Sequence, residues 1–333
     1  MGDLSTIATD TTPRADRWRV SLDPWPEADT HLLVVEGMDL QVRFADAAAW
    51  TILDMHWRGR EVGCHSGATG SVLQWEEDTP ATLRPQGDGC SRRQTIGTGH
   101  GGEVVRRVSV TVDGREIPVV AGGKLVLEAH SGLDGAAARV HKDSIIGPFD
   151  HEAVFDFPSA GPGFGVTHRY RANDAMARGH FAGYRYTFMF MMPETYDRYL
   201  VLNPDGRMEQ AAINPEPGML LERPFQALAC YSPADQTGMV YAYPKPYPGS
   251  NHINVRPGKD RKFRANLFQD HYEVGQTSEF TVRIIPFEEM DKQWVETAAS
   301  LIELATARCF PPAPGREKTA TSFPGSSASS APD

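Results

Sequence analysis

No stretch of this chain is apolar for long enough to cross a bilayer. The densest candidate, residues 184–193, is interrupted by Arg185 and falls short of the roughly 20 residues a spanning helix needs. The opening MGDLSTIATDTTPRAD has neither a basic start nor an apolar centre, so no secretory leader is expected and cytoplasmic residence is the default. Cysteine is scarce and dispersed. Cys64, Cys90, Cys230 and Cys309 form no CxxC pair, which argues against a zinc ribbon and against a small disulfide scaffold. Basic charge is in deficit, with a net charge of −10, and a nucleic-acid partner would need the opposite surplus on one face. The chain also lacks a GxxxxGK[ST] phosphate loop, a G-x-S-x-G nucleophile elbow and the H-x-H or H-E-x-x-H spacing of a local metal site. Neither cofactor nor metal is expected, although ligands drawn from separate strands would leave no trace in spacing.

What is present is a long succession of short strand patterns separated by turns. Apolar residues make up 40% of the 333, enough for a full core, and 31 glycines with 25 prolines fit many turns. From residue 31 the patterns run through His31–Glu36, Leu40–Phe44 and Trp50–Trp57, with a turn at Arg58–Arg60. Glu103–Val112 reads as a strand, and Asp113-Gly114 is a hairpin signal into Glu116–Val120. In His151–Phe157, Ala153, Phe155 and Phe157 alternate with Glu152, Val154 and Asp156. Tyr184–Met192 is apolar on both faces and reads as a central strand. Tyr199–Leu202, Phe225–Tyr231, Gly238–Tyr243, Phe263–Phe268 and Phe280–Phe287 complete the set.

Glu288–Arg308 breaks this rhythm. Met290, Trp294, Val295, Ala298, Leu301, Ile302 and Ala305 recur at helical spacing, which predicts one amphipathic helix of about five turns. After Pro311 the composition collapses to Pro, Ser, Gly and Ala. The expected organisation is a flexible segment over 1–29, one all-β domain over 30–310 that includes the helix at 288–308, and a disordered tail over 311–333. Large sandwiches run to this length as single units.

Two segments carry a family likeness: 49–61 (AWTILDMHWRGRE) and the Gly-rich 67–72 (GATGSV). An apolar strand, a tight turn and a Gly-rich lead into a ligand-facing sheet resemble the opening of the galactose-mutarotase-like supersandwich family. The resemblance implies a large antiparallel β supersandwich over about residues 30–287 and chemistry on carbohydrates. Sugar mutarotases of that family carry a His-Pro-aromatic signature, and this chain has no His-Pro step. The scaffold is therefore implied, with epimerase, lyase and hydrolase chemistries all open.

Candidate site residues sit in Gly-rich turns or share a strand face. His100 lies within Gly97–Glu103, where four glycines allow close approach of a ligand and Glu103 follows three residues on. His65 lies in a similar turn at Cys64–Gly70. In His168-Arg169-Tyr170-Arg171, His168 and Tyr170 share one face and Arg169 shares the other with Arg171. His168 or Tyr170 as base, with an Arg to neutralise a uronate, would serve β-elimination. Asn251, His252, Gln269 and His271 supply amide and imidazole groups late in the chain, and Tyr184 adds an aromatic contact. Imidazole titrates near neutral pH and suits general acid/base work.

The expectation is an all-β enzyme using His100, His65, His168, Tyr170, His252 or His271 on a sugar, in an epimerase-like or β-eliminating step. Glu103, Asn251, Arg169, Tyr184 and Gln269 would hold the substrate. A glycoside hydrolase and a non-catalytic carbohydrate-binding protein are the alternatives. The expected partner is a small sugar or oligosaccharide, with no nucleic acid and no membrane. Oligomeric state is not legible.

Overall fold

The computed structural model describes residues 18–25, 30–63, 70–74, 95–97, 103–129, 136–147, 149–158, 163–173, 186–211, 218–244, 250–256, 260–266 and 273–307. In chain order the strands are β1 (Trp18–Trp25), β2 (Thr30–Gly37), β3 (Leu40–Ala45), β4 (Thr51–Trp57), β5 (Arg60–Gly63), β6 (Gly70–Gln74) and β7 (Thr95–Gly97). Next come β8 (Glu103–Val112), β9 (Arg115–Pro118), β10 (Leu125–Ala129), β11 (Ala136–Ile146), β12 (Phe149–Pro158), β13 (Phe164–Ala172), β14 (Tyr186–Pro193) and β15 (Arg198–Leu202). The last are β16 (Met208–Ala211), β17 (Gly218–Arg223), β18 (Ala227–Ser232), β19 (Thr237–Ala242), β20 (Ser250–Arg256), β21 (Asp260–Asn266) and β22 (Thr277–Glu288), followed by helix α1 (Trp294–Ala307).

The described strands build three antiparallel sheets. A ten-stranded sheet runs β16-β15-β18-β19-β22-β13-β12-β11-β8-β9, and two six-stranded sheets run β10-β1-β2-β3-β4-β5 and β17-β20-β21-β14-β6-β7. The six-stranded sheets meet where β5 borders β14, and together they form the layer opposite the ten-stranded sheet. The first packs through Trp18 on Phe157 and Phe44 edge-on to Phe155, with ring centroids 5.0 and 4.8 Å apart. Phe263 of the other meets Phe225 and Tyr241. One continuous apolar core results, and the fold is a large antiparallel β supersandwich with a C-terminal helix.

Strict alternation explains why these residues choose this layer. In β12, Phe149, His151, Ala153, Phe155 and Phe157 are buried while Asp150, Glu152, Val154 and Asp156 are half-buried on the outer face. Helix α1 covers part of that outer face. Trp294, Ala298, Ile302 and Ala305 bury against Leu200, Ala229, Val240 and Phe287, and the Trp294 ring stacks on Tyr231 at 5.2 Å. Leu301 is half-buried beside them.

The structure moves several expected boundaries. The helix begins at Trp294, because Glu288 still belongs to β22 and pairs with Thr237. β1 lies inside the segment expected to be flexible. Trp18, Val20 and Leu22 are buried there, a pattern too short to stand out beside Pro24 and Pro26. β11, central in the ten-stranded sheet, is missing from the sequence reading because Lys142 and Ser144 interrupt its apolar face. The tail after residue 310 lies outside the described residues.

Candidate functional site

The inner face of the ten-stranded sheet is mostly apolar, and across β8, β11, β12 and β13 a line of polar side chains crosses four strands. Register places Ser144 on β11 opposite His151 on β12, His151 opposite Tyr170 on β13, and His168 on β13 opposite Phe280 on β22. Glu103 reaches this face through a β-bulge. In β8, Val108, Val110 and Val112 point inward, whereas the ladder to β11 skips Arg106 between Asp143–Arg107 and Ser144–Val105. The extra residue reverses the phase of the strand, so Val105 and Glu103 take the inner side.

These groups form a continuous hydrogen-bonded chain. Lys142 Nζ donates to Glu103 Oε1 at 2.7 Å and to the carbonyl of Ala49 at 3.0 Å. Ser144 Oγ donates to Glu103 Oε1 at 2.8 Å and lies 3.1 Å from His151 Nδ1. His151 Nε2 lies 2.9 Å from His168 Nδ1. The two imidazole planes are only 10° apart with centroids separated by 5.2 Å, the side-by-side placement that an in-plane N–H···N bond requires. Tyr170 stacks on His151 at 4.8 Å and Phe280 stacks on His168 at 5.1 Å.

The tautomers follow from this pattern. Ser144 spends its proton on the Glu103 carboxylate, so its oxygen accepts from His151 Nδ1–H. His151 Nε2 then carries a lone pair and accepts from His168 Nδ1–H, which leaves His168 Nε2 as the basic atom at the far end. Every donor in the line points toward Glu103.

Burial sets the charges. It lowers the affinity of His151 for a proton, against the opposing contact with Glu103, and lowers that of His168 further, helped by His151 and the Lys142 charge. Burial also works against ionised Glu103, but Lys142 and His151 outweigh it and hold the carboxyl well below the usual range. Lys142 is lowered by desolvation, which Glu103 opposes. At neutral pH the array is therefore a buried Lys142–Glu103 ion pair joined to two neutral imidazoles.

Of the expected residues, the structure brings together Glu103, His168 and Tyr170. It adds Lys142, Ser144 and His151, which sequence reasoning missed. His151 shares the parity of Phe155 and Phe157, and that was the one signal available. Arg169 stands apart. Its guanidinium lies on the outer face between Glu152 and Glu279, with Nη2 2.6 Å from Glu279, so it cannot serve a substrate held by His168 and Tyr170. On that face His141 Nε2 also lies 2.9 Å from Glu152, and Arg139 pairs with Asp156. Asn251 and His252 are adjacent on β20, in a six-stranded sheet, opposite Ala265 and Arg264 of β21. His65, His100, Tyr184, Gln269 and His271 lie outside the described residues.

Among the described residues, no group of three His, Cys, Asp or Glu side chains is placed to hold a metal. No helix there is long and apolar enough to cross a membrane. A cleft of about 440 Å³ lies on the first six-stranded sheet, away from the buried array.

No protein-family model matches the chain, and no curated protein matches it. Solved structures do resemble it in architecture. A galactose 1-epimerase from Lactobacillus acidophilus NCFM is 10% identical over 82% of this chain and 98% of its own, with a TM-score of 0.40. The galactosidase domain of an alpha-galactosidase-sucrose kinase is 8% identical over 81% of this chain, with a TM-score of 0.48. A TPR-domain containing protein from Parabacteroides distasonis ATCC 8503 is 8% identical over 78%, with a TM-score of 0.43. This chain spans 42% and 47% of the last two. The class is a large antiparallel β supersandwich, and this chain is one whose inner sheet carries a Glu-Ser-His-His line.

Proposed function

We propose that this chain is a carbohydrate-active enzyme performing an epimerase-like, histidine-centred acid/base step on a sugar ring. His168 Nε2 is the proton acceptor, and Ser144 and His151 connect it to the Glu103 carboxylate. The observation that carries this reading is the one-directional hydrogen-bonded line from His168 to Glu103, set against the apolar core. Burying an ion pair costs several kcal/mol per charge before compensation, and apolar residues of similar size often stabilise as well or better. Perturbed titratable groups of this kind cluster at functional sites.

The chemistry is balanced within the line. A proton accepted at His168 Nε2 is matched by transfer of its Nδ1 proton to His151, of the His151 Nδ1 proton to Ser144 Oγ, and of the Ser144 proton to Glu103. The carboxylate, anionic beforehand, ends neutral, and reversal returns the proton through the same Nε2, so delivery to the other face of the sugar falls to a second carrier. Arg169 lies on the outer face and Lys142 is committed to Glu103, so among the described residues neither of these cations serves a uronate beside His168, which favours this step over β-elimination. The substrate class follows the sequence resemblance of 49–72. His100 stays in the proposal as a second proton carrier, since three residues of chain reach at most about 11 Å from Glu103.

His168 is only 1% exposed, so contact with a sugar requires that end of the sandwich to open. The same burial favours one other reading, a non-catalytic carbohydrate-binding protein with a structural polar line. Turnover separates the two. Aldoses and their oligomers would be screened by NMR for anomer exchange, epimerisation or cleavage, with wild type and His168→Asn. Asn keeps a donor near the Nδ1 position and removes Nε2. The enzyme reading expects kcat to drop by roughly 10²–10⁴. No turnover in the wild type, or unchanged turnover in His168→Asn, overturns it.

A further inference from the structure

The cleft of about 440 Å³ lies on the outer side of the first six-stranded sheet, at the joint between β3 and β4. Trp25, Leu53 and the methyl groups of Ala45 and Ala48 make an apolar side, and Asp54 and Glu61 make an acidic one. A β-bulge creates the mixture. Arg43 pairs with Asp54 and Phe44 with Ile52, which leaves Leu53 as the extra residue of β4. Ile52 and Met55 go to the core, so Leu53 and Asp54, neighbours in sequence, both open on the cleft. Asp54 is gripped by Arg43 through two hydrogen bonds, Nε to Oδ1 at 2.6 Å and Nη2 to Oδ2, and Glu61 is exposed.

A strained turn follows the lining residues Ala47 and Ala48. Ala49 and Trp50 both have φ of 53°, a left-handed conformation that costs non-glycine residues about 1–2 kcal/mol each. The turn is fixed from several sides: Ala49 N donates to Asp46 O at 2.9 Å, Thr51 Oγ1 to Ala48 O at 2.7 Å and Ala47 N to Thr30 Oγ1 at 3.2 Å. Lys142 Nζ donates to Ala49 O from the opposite layer. Strain held this firmly persists where the surrounding structure over-determines it, and such places concentrate at ligand sites.

The geometry points to this cleft as a pyranoside-binding subsite, separate from the buried line. The inference rests on the carbohydrate reading above. A pyranose has one face of C–H groups, which suits Trp25 and Leu53, and a rim of hydroxyls. The Glu61 carboxylate accepts hydroxyl hydrogen bonds, as does any lone pair of Asp54 left over from Arg43. A volume near the low end of the usual ligand-pocket range fits one or two sugar rings. The acidic rim selects neutral sugars over uronates, by like-charge repulsion. Lys142 donates both to Ala49, the residue after Ala48 of the cleft wall, and to Glu103, so one side chain ties the turn behind the cleft to the buried line.

Saturation-transfer NMR and calorimetry with methyl β-D-galactopyranoside, methyl β-D-glucopyranoside and methyl β-D-glucuronide test this on the full chain. Methyl glycosides cannot ring-open, so binding is read without turnover. At least one neutral glycoside should bind, the glucuronide more weakly, and Trp25→Ala should raise Kd by roughly tenfold or more. Ala47→Arg, at an exposed position on the cleft, should block binding with little effect on folding. His168→Asn should leave it intact. Absence of binding by both neutral glycosides, or binding that survives Trp25→Ala and Ala47→Arg, overturns the subsite. Loss in His168→Asn with retention in both cleft variants places the sugar at the buried line, which sinks the subsite and keeps the proposed function. Cleft binding without any turnover sinks the proposed function and keeps the subsite.

Discussion

Lys142 Nζ and the Ala49 carbonyl are 3.0 Å apart across the two layers of the sandwich. That bond, with the 2.7 Å contact to Glu103, satisfies an ammonium group that is 1% exposed. Removing it strands a carboxylate. Lys142→Met should destabilise by about 3–5 kcal/mol, the usual effect of leaving one partner of a buried pair unmatched. Adding Glu103→Leu to that variant should recover most of the loss, read by chemical denaturation. A Lys142→Met loss below about 1 kcal/mol would show that the pair is hydrated.

Acid should weaken the fold through the two histidines. An unfolded-state imidazole binds a proton near pH 6.5, whereas His151 and His168 resist protonation in the fold because burial disfavours the cation. Below about pH 6.5 the unfolded chain therefore holds more protons, and stability falls as pH falls. The slope is at most about 1.4 kcal/mol per pH unit for each ring. Glu103, whose affinity for protons is depressed, adds stability above about pH 4.3 that is lost in stronger acid. Denaturation midpoints from pH 8 to pH 5 should drop in the wild type and flatten in His151→Phe/His168→Phe.

Arg169 should matter little to either stability or turnover. It is 40% exposed at the side chain and faces away from His168. Arg169→Ala should cost no more than about 1 kcal/mol, as for exposed ion pairs. A large loss of turnover would move the site to the outer face.

Gly238 is required by packing. A Cβ there would sit 2.0 Å from Phe287 Cζ, and the Phe287 ring is held under helix α1. Gly238→Ala should cost about 1–3 kcal/mol by overpacking. On the other side of the same cluster, Trp294→Ala should cost roughly 3–5 kcal/mol by opening a cavity. Urea titrations of both variants check this.

Strand phase was the legible part of this chain. Glu103–Val112 is β8 as read, and the alternation through Ala153, Phe155 and Phe157 is the burial pattern of β12. The described part of the apolar run Tyr184–Met192 falls in β14, Tyr186–Pro193, an interior strand of its sheet. The shared face of His168 and Tyr170 also follows from period two. What the sequence concealed were the exceptions to that period. The bulge at Arg106 turns Glu103 inward, and the bulge at Leu53 turns Asp54 toward the cleft. Neither leaves a local signal, because a bulge is defined by the partner strand. Lys142 and Ser144 hid β11, since a buried ion pair reads as a break in an apolar face.

The most direct test of the central claim is 15N NMR of the imidazole rings in the folded protein at pH 7. The account predicts that His151 and His168 are both neutral and both protonated at Nδ1, with a through-bond coupling between His151 Nε2 and His168 Nδ1. A charged ring, an Nε2-protonated tautomer of His168, or no coupling between the two would contradict a line directed toward Glu103.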